Sequence, residues 1–153
     1  MHRYEARITW TRGGAKFIDN RYSRGHEWSF DGGVKVKASA SPSVVPLPYS
    51  IAEAVDPEEA LVAAASSCHM LSFLFLAAKR GFVVDSYIDD AFGVMEKNAG
   101  GKLFISRITL RPQIKFSGEC LLTDAELQSL HHAAHEECFI ANSLKSEVVV
   151  ETG

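Results

Sequence analysis

Cys68 lies in the middle of the longest apolar stretch of the chain, between Ser67 and His69. Cys138 follows 70 residues later, at the end of the string His131-His132-Ala133-Ala134-His135-Glu136-Glu137-Cys138. A third cysteine, Cys120, sits in the polar turn Ser117-Gly118-Glu119-Cys120 and reads as incidental. Residue type alone leaves three chemistries open. A free cysteine in an apolar helix is often an inert small hydrophobe. A metal site is the second: His131 and His135 share a helical face at i, i+4, and Cys138 follows three residues on, a donor set that suits zinc. That set lacks a fourth ligand, since no Cys-x-x-Cys or second His-x-x-x-His occurs, and histidines near a helix C-terminus are favoured by the dipole in any case. Thiol redox chemistry is the third. The thiolate is the nucleophile, so a reactive Cys68 needs cationic or hydrogen-bonding company.

Arg24 offers a guanidinium that is always charged, with Arg21 and His26 beside it as other possible sources. Glu58 is placed to hold such an arginine. Glu58 and Cys68 are ten residues apart on one helix, about 15 Å along its axis, so they do not touch within it. If both serve one site, either Arg24 spans most of that gap or Glu58 comes from a second subunit. An antiparallel pair of such helices would bring each Glu58 toward the other chain's Cys68.

The elements that carry these residues are legible from periodicity and punctuation. Tyr4, Ala6, Ile8 and Trp10 alternate with polar residues as a half-buried strand ending at Gly13-Gly14. Short strands around Trp28 and Phe30 and from Val34 onward flank the turn Asp31-Gly32-Gly33. The Ser- and Pro-rich stretch 39–54 predicts an ordered loop. Asp56 as N-cap, Pro57 at the first position and Glu59 as a capping-box partner start a long helix that ends at Lys79-Arg80-Gly81. A strand over 82–98, the turn Asn98-Ala99-Gly100-Gly101 and a strand over 102–117 form a hairpin, with Pro112 marking an edge or bulge. Thr123 and Glu126 cap a second helix whose inner face is Leu127, Leu130, His131 and Ala134, continuing to Cys138. Residues 147–151 close the chain as a strand. The order predicts a single α+β domain over 1–153, two helices against antiparallel sheet.

The chain has 153 residues, a net charge of −3 and 46% hydrophobic residues, which suits one core and excludes disordered and fibrous classes. Its pI near 6.1 gives no reason to bind nucleic acid or anionic lipid. Without an apolar leader and with only three cysteines, a cytoplasmic protein with reduced thiols is expected. Residues 60–78 carry no charge, yet Ser66, Ser67, Cys68, His69 and Ser72 interrupt them and no second span exists. The segment is therefore expected to be a central helix covered on most sides, partly by a second copy of the chain.

The segments Val55-Asp56-Pro57-Glu58-Glu59-Ala60-Leu61 and Ser66-Ser67-Cys68-His69-Met70-Leu71, with Cys138 and the turn after it, resemble the OsmC/Ohr family over essentially the whole chain. The resemblance implies an intertwined homodimer of OsmC-like fold and a thiol peroxidase for organic (alkyl or lipid) hydroperoxides. Cys68 would be the peroxidatic thiolate and Cys138 the resolving thiol, joined as a disulfide after a sulfenic acid forms on Cys68. Glu58 and Arg24 would be the charged pair that activates Cys68. A dithiol or a lipoylated protein would reset the enzyme, and no cofactor or metal would be needed. Leu71, Phe73, Leu74, Phe75, Trp28 and Phe139 are candidates for an apolar pocket wall. The chain departs from better-known members at His69, at Phe139 and around Arg24. The alternative from a different class is a non-catalytic module of the same fold that binds an apolar ligand, or a metal at the His131/His135/Cys138 end.

Overall fold

The computed structural model describes residues 1–152. The chain divides by its contacts into two compact units, Met1–Ala60 and Leu61–Gly153. In the first, β1 (Ala6–Thr9), β2 (His26–Phe30) and β3 (Lys35–Ala38) form an antiparallel meander with Trp28 opposite both Ile8 and Val36. Alternation along β1 predicted one covered face, but all four of its residues are exposed. The 2-residue period says which side chains share a face, not that anything packs on it. Two buried serines order the loop that follows. Ser39 Oγ accepts the Ile51 N–H at 2.9 Å and Ser50 Oγ donates to the Val45 carbonyl at 2.7 Å.

Helix α1 (Pro57–Lys79) starts on the expected capping box. The Glu59 N–H donates to Asp56 Oδ1 at 2.8 Å, and the Asp56 N–H donates to Glu59 Oε1 at 2.9 Å. It stops in a Schellman arrangement at Gly81, whose φ of +86° suits glycine. There the Phe82 N–H reaches the Ala77 carbonyl and the Gly81 N–H that of Ala78.

In the second unit, β4 (Val83–Asp89) pairs with β7 (Pro112–Ser117), while β5 (Phe92–Lys97), β6 (Leu103–Leu110) and β8 (Glu147–Val150) form a separate sheet. All pairs are antiparallel except β6 with β8. Each of the two long strands expected from sequence is thus broken in two and changes sheet. Arg111 holds both breaks together: its N–H donates to Asp89 Oδ1 at 2.6 Å, its Nε to the Asp90 carbonyl at 2.8 Å, and its guanidinium lies over Phe92. Pro112 enters β7 opposite Asp89, the last rung of that ladder, where a missing N–H is cheapest.

Helix α2 (Asp124–Glu137) also opens on its expected capping box, between Thr123 and Glu126. Thr123→Ala is expected to cost about 1 kcal/mol, read as a lower urea midpoint at unchanged slope; no shift would mean that the cap contributes nothing. The buried row of α1 is Ala65, His69, Phe73 and Ala77, each four residues from the last. Ala65 packs with Ile108, Leu110 and Val148. Phe73 and Ala77 pack with Leu130 and Ala134 of α2. His69 falls at the seam between these two apolar clusters.

The rest of α1 is less covered than its composition predicted. Leu71 is 60% and Phe75 68% exposed, so within one chain a single stripe, not most of the helix, is buried. Among the described residues α1 is the one helix long and apolar enough to cross a membrane.

Candidate active site

Cys68 and Cys138 are brought together. Cys68 is near enough to push the Cys138 thiol up, although 70 residues separate them, and both are free thiols. Cys68 is half-buried on α1; Cys138 is buried at the C-cap of α2. The chain past α2 folds back in a 3₁₀ turn, Ala141–Ser143, because the Asn142 N–H bonds the Cys138 carbonyl and the Asn142 amide bonds the Glu136 carbonyl. That turn aims the Ala141 N–H at Cys138 Sγ, 3.4 Å away. Burial and the neighbouring Cys68 push the Cys138 thiol up; the Ala141 and Ile140 N–H groups pull it down, and the upward shift prevails. Cys138 is therefore held as the thiol while its surroundings are arranged to accept a sulfur anion.

Between the same two helices lies an imidazole couple. His69 Nε2 and His131 Nδ1 are 3.0 Å apart, with the rings stacked at 11°. Burial pushes both imidazoles down to about 4; the charges of His131 and His135 add to the effect on His69, and Asp89 opposes it at His131. Both are neutral at pH 7. The rim of this region holds polar atoms without partners: His69 Nδ1, His135 Nδ1 and the Tyr87 hydroxyl are all buried and unpaired. Helical spacing placed His131 on the inner face of α2, but nothing in the sequence paired it with His69. The arrangement also departs from the alternative metal set, since His131 turns to His69. Among the described residues no group of three His, Cys, Asp or Glu side chains is placed to hold a metal ion.

Arg24 and Glu58 are not paired within the chain. The Arg24 guanidinium donates to the Asn20 carbonyl at 2.8 Å and to the Tyr22 carbonyl at 2.5 Å, and lies 3.6 Å from the Tyr22 ring centroid. Both bonds are made by Nη1. Glu58 Oε2 is buried without a partner. Arg24 and His26, but not Arg21, line an apolar cavity of 490 Å³ whose aromatic wall is Trp10, Phe17 and Tyr22. Those three rings pack on one another at 4.6–6.0 Å. The cluster escaped sequence reading because 12 residues separate Trp10 from Tyr22; the one available signal was Tyr22 two residues before Arg24. Of the expected wall residues, Phe73 is instead fully buried core, and Leu71, Phe75 and Phe139 are exposed. Cys120 is exposed in its turn, as an incidental cysteine would be.

Residues 51–153 match the family model described as OsmC-like protein. The chain belongs to the OsmC-like family. It is similar over 99% of its length to an OsmC-like protein of unknown function from Vibrio cholerae O1 biovar eltor, with 54% identity, a TM-score of 0.96 and 99% of that chain covered. An organic hydroperoxide resistance protein from Elizabethkingia anophelis, crystallised with thiocyanate, shares the fold at 15% identity and TM-score 0.71, covering 100% of this chain and 98% of that one. A putative organic hydroperoxide resistance protein from Vibrio cholerae, with captopril in one of its active sites, shares it at 17% identity and TM-score 0.68, with 98% and 93% covered. No curated protein matches the chain. In the OsmC-like fold α1 is a core helix, and the two cysteines of this member meet where α1 and the end of α2 adjoin.

Proposed function

We propose that this OsmC-like protein is a cytoplasmic, cysteine-based peroxidase that reduces organic hydroperoxides in oxidative-stress defence. The observation that carries the reading is the proximity of the Cys68 and Cys138 thiols, close enough for one to shift the other. Cys68 Sγ attacks the terminal oxygen of the hydroperoxide, the O–O bond breaks, the alcohol leaves, and Cys68 becomes a sulfenic acid. Cys138 then forms the S–S bond as water departs. A dithiol or a lipoylated protein reduces the disulfide by thiol exchange. Sulfur carries both electrons throughout, so the reaction needs no metal or organic cofactor.

The working unit is a homodimer in this proposal. It is supported by the exposed apolar face of α1 and by the lone buried oxygen of Glu58, about 15 Å along the helix from Cys68. Glu58 and Arg24 act as the charged groups that prepare the thiolate, with Glu58 directed to the other copy's Cys68. The substrates are alkyl or lipid hydroperoxides rather than hydrogen peroxide, as the family's hydroperoxide-resistance members suggest.

The test is a thiol map. Reduced protein is mixed with one equivalent of cumene hydroperoxide, quenched with an alkylating reagent and analysed by mass. A Cys68–Cys138 disulfide with Cys120 still alkylated is the expected product. Three reduced thiols, or slow and indiscriminate oxidation, would reject the reading in favour of a non-catalytic module.

A further inference from the structure

We propose that the hydrogen bond between His69 and His131 is the pin that sets α1 in register on α2, and that it fixes the Cys68 and Cys138 thiols in the alignment from which their disulfide closes. The inference rests on the peroxidase reading above and adds two positioning residues to it.

The chemistry creates the demand. Closing the disulfide joins the two sulfurs, breaks the S–O bond of the Cys68 sulfenic acid and the S–H bond of Cys138, and releases water. The hydroperoxide has already supplied the oxidising equivalent, so what the fold must supply is alignment. A disulfide accepts Cα separations of about 4.4–6.8 Å, and departures store strain. Cys68 lies within α1 and Cys138 at the C-cap of α2. A slide of one helix on the other by a single residue, about 1.5 Å, would use more than half of that range.

Apolar packing does not set such a register by itself. Phe73 and Ala77 of α1 pack with Leu130 and Ala134 of α2, and burial of such surface is favourable in any direction. The imidazole couple is directional. His69 Nε2 and His131 Nδ1 lie 3.0 Å apart with the ring planes at 11°, and Phe73 packs on the His131 ring at 4.6 Å. His69 is 1% and His131 5% exposed, so water scarcely competes for the bond. The couple is retained although His69 Nδ1 stays buried without a partner, a penalty that an apolar pair would avoid.

Its place suits a pin. His69 is the residue next to Cys68, and His131 stands seven residues before Cys138, so a short run of rigid helix joins each ring to its thiol. Other polar ties do not do the same work. Ser66 Oγ donates to Asp89 of β4, and Arg80, just past the end of α1, donates to Ser129 of α2 from an exposed position.

Two double variants of the full-length protein test the pin. His69→Leu/His131→Leu keeps a similar volume and removes the bond. His69→Gln/His131→Asn puts carboxamides where Nε2 and Nδ1 stood and remakes it. The first readout is the Cys68–Cys138 disulfide equilibrium in a glutathione redox buffer at pH 7, which needs no peroxidase activity. There one glutathione disulfide is reduced to two glutathione thiols for each protein disulfide formed. The leucine variant should hold the disulfide about 10-fold more weakly, and the carboxamide variant as wild type does. The second readout is rapid quench with cumene hydroperoxide, using a dimedone probe for Cys68 sulfenic acid and mass for disulfide. Sulfenic acid should form at one rate in all three proteins, and closure should slow about 10²-fold in the leucine variant alone. Equal equilibria in wild type and the leucine variant, or a loss that the carboxamides do not restore, would overturn the pin. An intact equilibrium difference with no sulfenic acid in any protein would support the pin and reject the peroxidase reading. If the leucine variant proves poorly folded, two single variants decide. His69→Leu breaks the bond and His131→Asn keeps it; a weaker disulfide in the first supports the pin, and equal disulfides overturn it.

Discussion

Cys68→Ser should lose hydroperoxide turnover by at least about 10³-fold, to the level of the reductant alone, because a hydroxyl at this position is neither ionised nor nucleophilic toward peroxide oxygen. The substitution removes little packing. Cys68 is half-buried, and its neighbours on the buried row, Ala65, His69 and Phe73, remain. The melting temperature should therefore stay within a few degrees of wild type, which separates lost chemistry from lost fold. Cys138→Ser should behave differently. It should consume one equivalent of hydroperoxide per chain, stall as Cys68 sulfenic acid and pass to sulfinic acid with excess oxidant. Cys120→Ser should change nothing. A steady-state coupled assay with dihydrolipoamide checks all three, and residual multiple turnover in Cys68→Ser would sink the assignment.

The unequal treatment of the two sulfurs is the physical basis of that pattern. Cys138 lies under the 3₁₀ turn at the end of α2, desolvated and protonated, with two backbone N–H groups directed at it. It is shielded from solvent yet already near Cys68. Cys68 is the more accessible of the pair. A thiol that waits and a thiol that meets the substrate are what a two-cysteine cycle requires.

How much of this was legible in the sequence depended on the range of the signal. Both capping boxes, the glycine stop after α1 and the turn at Asn98 are written within four residues of where they act, and each is found as read. Helical spacing read Cys138 as continuing the inner row of α2; it is buried, but as the C-cap one residue past the helix. The strand breaks were not legible, because Arg111 imposes them by reaching across to Asp89 and Asp90, 22 and 21 residues away. The same limit hid the histidine couple. His69 and His131 are 62 residues apart, and only the packing of α1 on α2 makes them a pair. Family resemblance supplied the roles proposed for Cys68 and Cys138, which spacing alone left among three chemistries. It also led to the expected Arg24–Glu58 pairing, which is not made within one chain, where Arg24 Nη1 bonds local carbonyls.

That buried couple should make the protein acid-sensitive well before its carboxylates titrate. In the unfolded chain both imidazoles take up protons near pH 6.5; in the folded chain burial delays this to about pH 4. Between those values the unfolded state binds more protons, so stability is full above about pH 6.5 and falls as pH drops toward 4. A displacement of 6.5 to about 4 corresponds to roughly 3 kcal/mol for each imidazole, a large share of a typical domain's 5–15 kcal/mol. Geometry gives the reason for the cost. The 3.0 Å contact needs a lone pair on one ring facing an N–H on the other, and a doubly protonated couple would oppose two N–H groups and two charges at the seam of the core. Urea titrations between pH 7 and pH 5, above the main carboxylate range, should show a steadily falling midpoint. The double variant His69→Leu/His131→Leu, apolar and of similar size, should flatten that slope even if its stability at pH 7 differs. A wild-type midpoint that stays level over the same interval would mean that these imidazoles are not held neutral between α1 and α2.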